Sequence, residues 1–344
     1  MSIEYMDGFD LYGTTAAMDD QWSRNSSIAL DLTEGRFGGG CARITGRIQY
    51  IQRAVTPANE FVALGAAIRY SNVTDTVDLM RHADSTGTGS TDINCLLRLN
   101  PDGSLALLGD ASQLKGTSAP GVFPEGVYAY IEMIFERSGS GHGEVRVNGV
   151  NVLDVPSADF LEGTGNAYVL FGHGSGGDTT FTLDYDDIYI ETSPTTRPVS
   201  KGDVRISTLL PDGDTAQADF TPLAGSGFSN IDDALGTDGD GDTTYISTAT
   251  VGHKSEFDME NLPVSPLAIV AVSTKMRASK TDVGAASVRS YVDSSGTEAA
   301  GVTHAPMDSV YNLKSDVFET DPNTAGVWTE ASVNAVKLGV ERDG

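Results

Sequence analysis

The segment Val145-Arg146-Val147-Asn148-Gly149-Val150-Asn151-Val152 constrains the fold more than any other stretch of the chain. Asn-Gly between two valine-rich arms specifies a two-residue turn of type I′, because both central residues must take positive φ. The arms then pair antiparallel, and this part of the chain is committed to a sheet. A second hairpin is expected from 96–99 and 105–108 around Asn100-Pro101-Asp102-Gly103. Upstream, Val127, Ala129, Ile131, Met133 and Phe135 alternate with Tyr128, Tyr130, Glu132, Ile134 and Glu136, a period-two pattern with one mostly apolar face. Further strands are expected at 61–70, 168–171 and 181–190. With no long amphipathic helix between them, many short strands imply an antiparallel sandwich.

Past residue 191 the pattern weakens. Two prolines in a polar run, Thr192-Ser193-Pro194-Thr195-Thr196-Arg197-Pro198, suit an interdomain linker. The division expected is therefore a β-sandwich at 1–191, a linker at 192–202 and a second β-rich domain at 203–344. A length of 344 residues agrees with two domains. In the second domain, strands are expected at 204–210, 245–248, 267–276 and 287–292. Short helices are expected at 230–235 and 329–338, the latter with Thr329 as N-cap and Gly339 as its stop. The fold class read from the sequence is thus all-β with small helical pieces.

Composition enters as a set of exclusions. The chain carries 48 Asp and Glu against 22 Lys and Arg, a net charge of -26. Without a basic cluster, such a chain is repelled by nucleic-acid phosphates and by anionic membranes, so neither is expected as a partner. The run at 267–272 is the longest aliphatic stretch and is too short to span a bilayer. The first ten residues lack the basic and apolar regions of a secretory signal, so folding in a cytoplasm is expected. Cys41 and Cys95 are the only cysteines and are expected as buried reduced thiols.

Several stretches in order carry a resemblance. They are Asp7-Gly8-Phe9-Asp10-Leu11-Tyr12, Trp22, Tyr130-Ile131-Glu132, the Asn148-Gly149 hairpin and Leu183-Asp184-Tyr185-Asp186-Asp187-Ile188-Tyr189-Ile190. Together they resemble a concanavalin A-like (laminin G-like) jelly-roll sandwich of the form seen in structural proteins of tailed bacteriophages. Gly202-Asp203-Val204-Arg205-Ile206, Asp240-Gly241-Asp242-Thr243-Thr244-Tyr245-Ile246 and Trp328-Thr329-Glu330-Ala331-Ser332-Val333-Asn334 resemble a domain that follows it in such proteins. The resemblance implies a virion component of tail, tail fibre or head surface, assembled in the host cytoplasm. Its partners would be other virion proteins, copies of itself and host surface glycan, with no catalysis required. Tyr128 and Tyr130 are the candidate contacts for glycan or for a partner subunit.

Three acidic patterns invite chemistry. Glu256-Phe257-Asp258-Met259-Glu260 resembles the carboxylate strand of jelly-roll glycosidases, with alternation placing all three acids on one face. A glycan depolymerase would use Glu256 and Glu260, yet four residues of strand put their Cα atoms about 13 Å apart. Asp238-Gly239-Asp240-Gly241-Asp242 resembles the first half of a calcium loop, and Asp238, Asp240 and Asp242 are the candidate Ca²⁺ ligands. The helix-loop-helix form of that site fails, since Thr243 and Ala249 stand where Gly and Glu are needed. Asp184, Asp186 and Asp187 form a second candidate cluster, set against a simple polar outer face with Leu183 and Tyr185 turned inward. No catalytic residue is assigned and no cofactor is required; Ca²⁺ is the one candidate.

Overall fold

The structure, a computed structural model, describes residues 2–24, 28–46, 48–56, 60–84, 92–161, 167–172, 180–234, 236, 243–281 and 283–344. The chain divides into two compact units. The first holds residues 1–10 and 21–206, and the second holds 11–20 and 207–344. Both are β-rich, so the chain is all-β with only single-turn helices among the described residues. No helix among them is long and apolar enough to cross a membrane.

The first unit is a jelly-roll sandwich of two antiparallel sheets. Its strands are β1 (Ser2–Asp7), β2 (Ser23–Arg24), β3 (Ala29–Asp31), β4 (Cys41–Ile44), β5 (Ile51–Val55), β6 (Phe61–Ser71), β7 (Val77–Ala83), β8 (Ile93–Leu99), β9 (Leu105–Gly109), β10 (Gln113–Thr117), β11 (Ala129–Glu136), β12 (Gly141–Val147), β13 (Val150–Ala158), β14 (Ala167–Phe171) and β15 (Thr182–Ser193). One sheet runs β13-β12-β11-β6-β15-β4-β3, with β1 also on β15; the other runs β10-β9-β8-β7-β14-β5-β2. The expected β12–β13 turn is present, with Asn148 at φ 49° and Gly149 at φ 77°.

Alternation on β11 works as the sequence implies. Met133 meets Cys95 of the opposite sheet at 3.6 Å, and Phe135 packs edge-on against His82. From β15, Tyr185 donates its hydroxyl to the Leu79 carbonyl across the sandwich at 2.9 Å. Cys41 and Cys95 are free and buried. Burial is the main cause that pushes the Cys41 thiol up to about 12, so it stays protonated and unreactive.

Strand β15 carries the sandwich's main irregularity. Its residues 183–185 pair with β4 and residues 188–192 with β1. Between them the register shifts at Asp186–Tyr189, and Asp187 takes φ 49°. This bulge turns consecutive acids into the same region instead of onto opposite faces.

The second unit is built on a five-stranded sheet. In order across the sheet, its strands are Pro211–Ala218, Lys254–Met259, Lys337–Arg342, Val288–Ser294 and Thr297–Ala300. A separate three-stranded sheet sets Val272–Lys280 between Asn312–Phe318, antiparallel to it, and the short strand Met307–Asp308, parallel to it. Val292, Phe318, Trp328, Val333 and Val336 form its apolar centre.

Several expectations for this region need correction. No strand forms at 204–210, because hydrogen bonds from its amides go to side-chain carboxylates: Ile206 to Asp187 and Leu210 to Glu260. The expected helix at 230–235 is a single 3₁₀ turn, Phe228–Asn230. The helix beginning after Thr329 has its capping box with Ser332 but lasts only from Glu330 to Val333. Leu338 and Gly339 belong to the strand Lys337–Arg342, so Gly339 stops nothing. The stretch 192–202 is not a free tether. Thr192 and Ser193 end β15 buried, while Ser200 and Lys201 bond to Glu132.

Candidate functional site

The face of the first sheet that points away from the sandwich core carries a group of buried carboxylates, Glu132, Glu144, Asp184, Asp187 and Glu191 among them. Register explains why. Glu132, Gly65 and Tyr189 stand in one row across β11, β6 and β15, and Arg69, Asp184 and Arg43 in another across β6, β15 and β4. Small residues of β6, Ala63, Gly65 and Ala67, make a trough between the larger side chains. The Tyr130 and Tyr189 rings stack over it, 6.5 Å apart and 10° from parallel.

Residues 199–206 lie across this trough as a strap. Val204 packs on the cluster of Ala63, Ala67, Tyr130, Ile134 and Tyr189. Ser200 donates to Glu132 Oε2 at 2.5 Å, and the Lys201 amide to Glu132 Oε1 at 2.7 Å. The Lys201 ammonium lies 3.0 Å from Glu191 Oε2, and both glutamates are fully buried. Tyr130 is 0% exposed and donates its hydroxyl to the Asp187 carbonyl. Its ring is therefore closed to glycan or to another subunit, contrary to its expected role. Tyr128 is half-buried; its hydroxyl donates to the Glu34 carbonyl and the Arg69 guanidinium lies 4.9 Å over its ring.

Below the end of the strap sits the acidic bulge. Asp186 accepts from the amides of Arg36 (2.8 Å) and Asp187 (2.7 Å). Asp187 accepts from the amide of Ile206 at 2.7 Å and lies 3.5 Å from the Arg36 guanidinium. Arg36 also pairs with Asp203 and donates to the Val204 carbonyl at 2.9 Å. These acids are held by the protein's own amides and one guanidinium, with Leu183 and Tyr185 turned into the core as expected. Among the described residues, no group of three His, Cys, Asp or Glu side chains is placed to hold a metal ion. Asp238, Asp240 and Asp242, the other candidate ligands, lie outside the described residues.

Beyond the strap the face stays open. Arg43, Arg69 and Asp184, with Thr45, Ser71 and Thr182, line a depression of about 480 Å³. Asp184 anchors it: its Oδ1 accepts from Arg43 Nε at 2.6 Å, and its Oδ2 from Arg69 at 2.7 and 3.0 Å. Asp31 and Glu34 pair with the outer arms of the same guanidiniums. Removing the central carboxylate leaves two like charges facing each other across one strand. Asp184→Ala is expected to lower the stability of the first unit by about 1–3 kcal/mol, read as a lower urea midpoint with unchanged slope.

The second unit does not assemble the expected acid series. Glu256 is buried and pairs with Lys337 at 3.1 Å, whereas Asp258 is exposed. Glu260 lies beyond the strand end and accepts the Leu210 amide. Another network there looks triad-like: Ser290 donates to Asp316 at 2.6 Å and His304 lies 3.2 Å from the same carboxylate. In it the serine bonds to the acid instead of the imidazole, the wrong order for activating a nucleophile. Thr274 completes it at 2.7 Å from Ser290, tying neighbouring strands together.

Arg36, Arg43, Arg69 and Glu191 lie in no local motif, and Glu132 entered only as part of the alternating Tyr130-Ile131-Glu132 strand. For the strand residues the available signal was their phase in the alternation, which gives a face but not what covers it; Arg36, in the loop before β4, carried none.

No family model matches the chain, and no curated protein matches it. Among solved structures it is similar to a cellulose-induced protein, Cip1, at 15% identity over 55% of this chain and 97% of that one, with a TM-score of 0.40. An endo-β-1,4-glucuronan lyase from the fungus Trichoderma reesei matches at 11% identity over 56% and 96%, TM-score 0.40. The carbohydrate recognition domain of Emp47p gives 11%, 56%, 96% and 0.40. Likeness at this level says nothing about activity.

Proposed function

We propose that this chain is a non-enzymatic structural protein of a tailed-bacteriophage particle, acting by association with copies of itself and with other virion proteins. The observation that carries this reading is the strap: the sheet face that would offer rings and carboxylates to a substrate is filled by residues 199–206 of the same chain. Its acids are committed as well. Glu132, Glu191, Asp184 and Asp187 all take part in internal hydrogen bonds or ion pairs, so none stands ready as a general acid or base. The phage assignment draws on the sequence resemblance. Mass spectrometry of purified particles tests it, with stoichiometric copies as the expected result and their absence as the refuting one.

The charge of -26 adds a condition on assembly. Copies repel one another at low ionic strength, and salt shortens the range of that repulsion from about 30 Å at 0.01 M to about 8 Å at 0.15 M. Light scattering is therefore expected to give a mass that rises between these two salt concentrations. A mass independent of salt would separate the charge from assembly.

A second reading rests on the open depression. At about 480 Å³, lined by guanidinium and hydroxyl donors, it has the size and hydrogen-bonding character for a sugar ring. As a host-glycan contact it would make the protein an adsorption module. Binding on a glycan array that Arg69→Ala abolishes would favour this reading, whereas binding unaffected by that change would remove the depression from it.

A further inference from the structure

Two strand edges of the second unit carry opposite charge. Between Glu260 and Asp282 the chain has three cations, Lys275, Arg277 and Lys280, and no acid. All three fall in the strand Val272–Lys280, and its antiparallel partner Asn312–Phe318 adds Lys314. The acid of this ribbon, Asp316, is buried and accepts from Ser290 and from the Val302 amide. In register, Arg277 stands opposite Leu313 and Met276 opposite Lys314, so the ribbon carries positive charge to both faces. Lys275 lies 6.0 Å from the Tyr12 ring, while Lys280 donates to the Gly284 carbonyl and has Asp308 beside it in register. Arg277 and Lys314 are half-buried and have no ion-pair partner among the described residues.

Both edges are open. On its second side the strand Val272–Lys280 is paired at Ser279 and Lys280 alone, by Met307 and Asp308. Residues 272–278 have no ladder there among the described residues. The opposite charge lies on Pro211–Ala218, the outer strand of the five-stranded sheet, whose one neighbour in that sheet is Lys254–Met259. Between Arg205 and Lys254 the sequence holds eight Asp and no Lys or Arg. Asp212 and Asp214 on this strand, and Asp219 just beyond it, are exposed. Asp214 accepts the Gly227 and Phe228 amides and Asp219 the Lys254 amide, which fixes these carboxylates without neutralising them.

We infer that the basic edge at 272–278 takes the acidic edge at 211–219 of a second copy, joining the two into one intermolecular sheet. This rests on the self-association proposed above and names the surfaces that perform it. Charge selects a copy of this chain as the occupant. Copies of net charge -26 repel one another in most orientations, and only contact between unlike patches reverses the sign. Lysine on an edge strand ordinarily keeps other strands away. Against a strand whose charges are all acidic, it attracts. The unpaired backbone of both edges then supplies ladder hydrogen bonds. Because the two edges are different surfaces of one unit, the contact is heterologous. Every pair leaves one edge of each kind free, so association runs head to tail into a ring or a filament.

Charge reversals test this by light scattering of the full chain over a concentration series at 0.15 M salt. Arg277→Glu spoils the basic edge alone and Asp212→Lys the acidic edge alone. Each is expected to raise the dissociation constant roughly tenfold or more. Mixed in equal amounts, the two variants share one intact pair of edges, so they associate with the native constant and stop at the dimer. Native association in either variant alone, or a mixture no better than its components, would overturn these edges as the contact. A native chain that stays monomeric removes self-association as well, which separates the two failures. The native chain also gives a test that needs no variant. From 0.15 M to 1 M salt the screening length falls from about 8 Å to about 3 Å, and the mass is expected to drop. An unchanged mass at 1 M refutes a contact held by unlike charges, even where Arg277→Glu does not fold.

Discussion

Trp22→Ala is expected to bring the first unit to the edge of unfolding. Trp22 is fully buried, with Tyr5 edge-on at 5.2 Å, Phe171 edge-on at 5.9 Å and Phe9 stacked at 6.2 Å. Deleting an indole from such a site costs about 3–5 kcal/mol in lost burial and cavity formation. Its Nε1 also donates to Asp7 Oδ2 at 2.7 Å, and Asp7 is itself buried. A buried carboxylate deprived of a donor adds about 1–3 kcal/mol. The sum approaches the whole stability of a domain, about 5–15 kcal/mol. Trp22→Phe separates the terms, since it keeps much of the ring volume and loses only the donor. Far-UV circular dichroism in urea should show an early transition for the alanine variant, while emission from Trp328 of the second unit keeps its midpoint. A shared shift of both signals would mean that the units unfold as one.

The second large effect concerns two glycines that propensity alone would misjudge. Each unit has a strand glycine beneath a tyrosine from the directly paired position: Gly65 under Tyr189 and Gly339 under Tyr291. A Cβ on Gly65 would lie 2.2 Å from Tyr189 Cε1 and 2.8 Å from the Tyr130 hydroxyl. One on Gly339 would lie 1.9 Å from Tyr291 Cζ. Alanine in a strand interior normally gains about 0.5–1 kcal/mol over glycine. Here the buried rings would have to move, and overpacking of this kind costs about 1–3 kcal/mol or more. Gly65→Ala is therefore expected to lower the melting temperature of the first unit and Gly339→Ala that of the second, each by several degrees. A rise in either would show that the ring swings away freely.

Asn148-Gly149, Asn100 to Gly103 and the alternation on β11 were legible because each acts over a few residues: a turn geometry or a pleat needs no distant partner. An antiparallel sandwich followed from them, and its jelly-roll form from the resemblance. The strap was not legible. Val204-Arg205-Ile206 alternates like a strand, and nothing local reveals that the Lys201 and Ile206 amides meet carboxylates of β11 and β15 instead of a neighbouring ladder. Tyr130, a candidate contact for glycan or a partner, does lie on the outer side of its strand, but there it is buried against Val204 and the rest of that cluster. Gly339 was read as a helix stop for the same local reason, while in the fold it makes room for the Tyr291 ring in the middle of a sheet.

The candidate site divides along the same line. By itself the sequence determined an acidic chain of short antiparallel strands, two buried thiols, and which residues of β11 share a face. Backbone geometry and pleat period, both short-ranged, suffice for that. Only the tertiary structure decided that the face is roofed by residues 199–206, that Asp186 and Asp187 meet at a bulge, and that Arg43 and Arg69 converge on Asp184. Those outcomes depend on contacts between separate segments, more than a hundred residues apart for the pairs of Asp184 with Arg43 and Arg69, and on how burial changes the cost of charge once they meet.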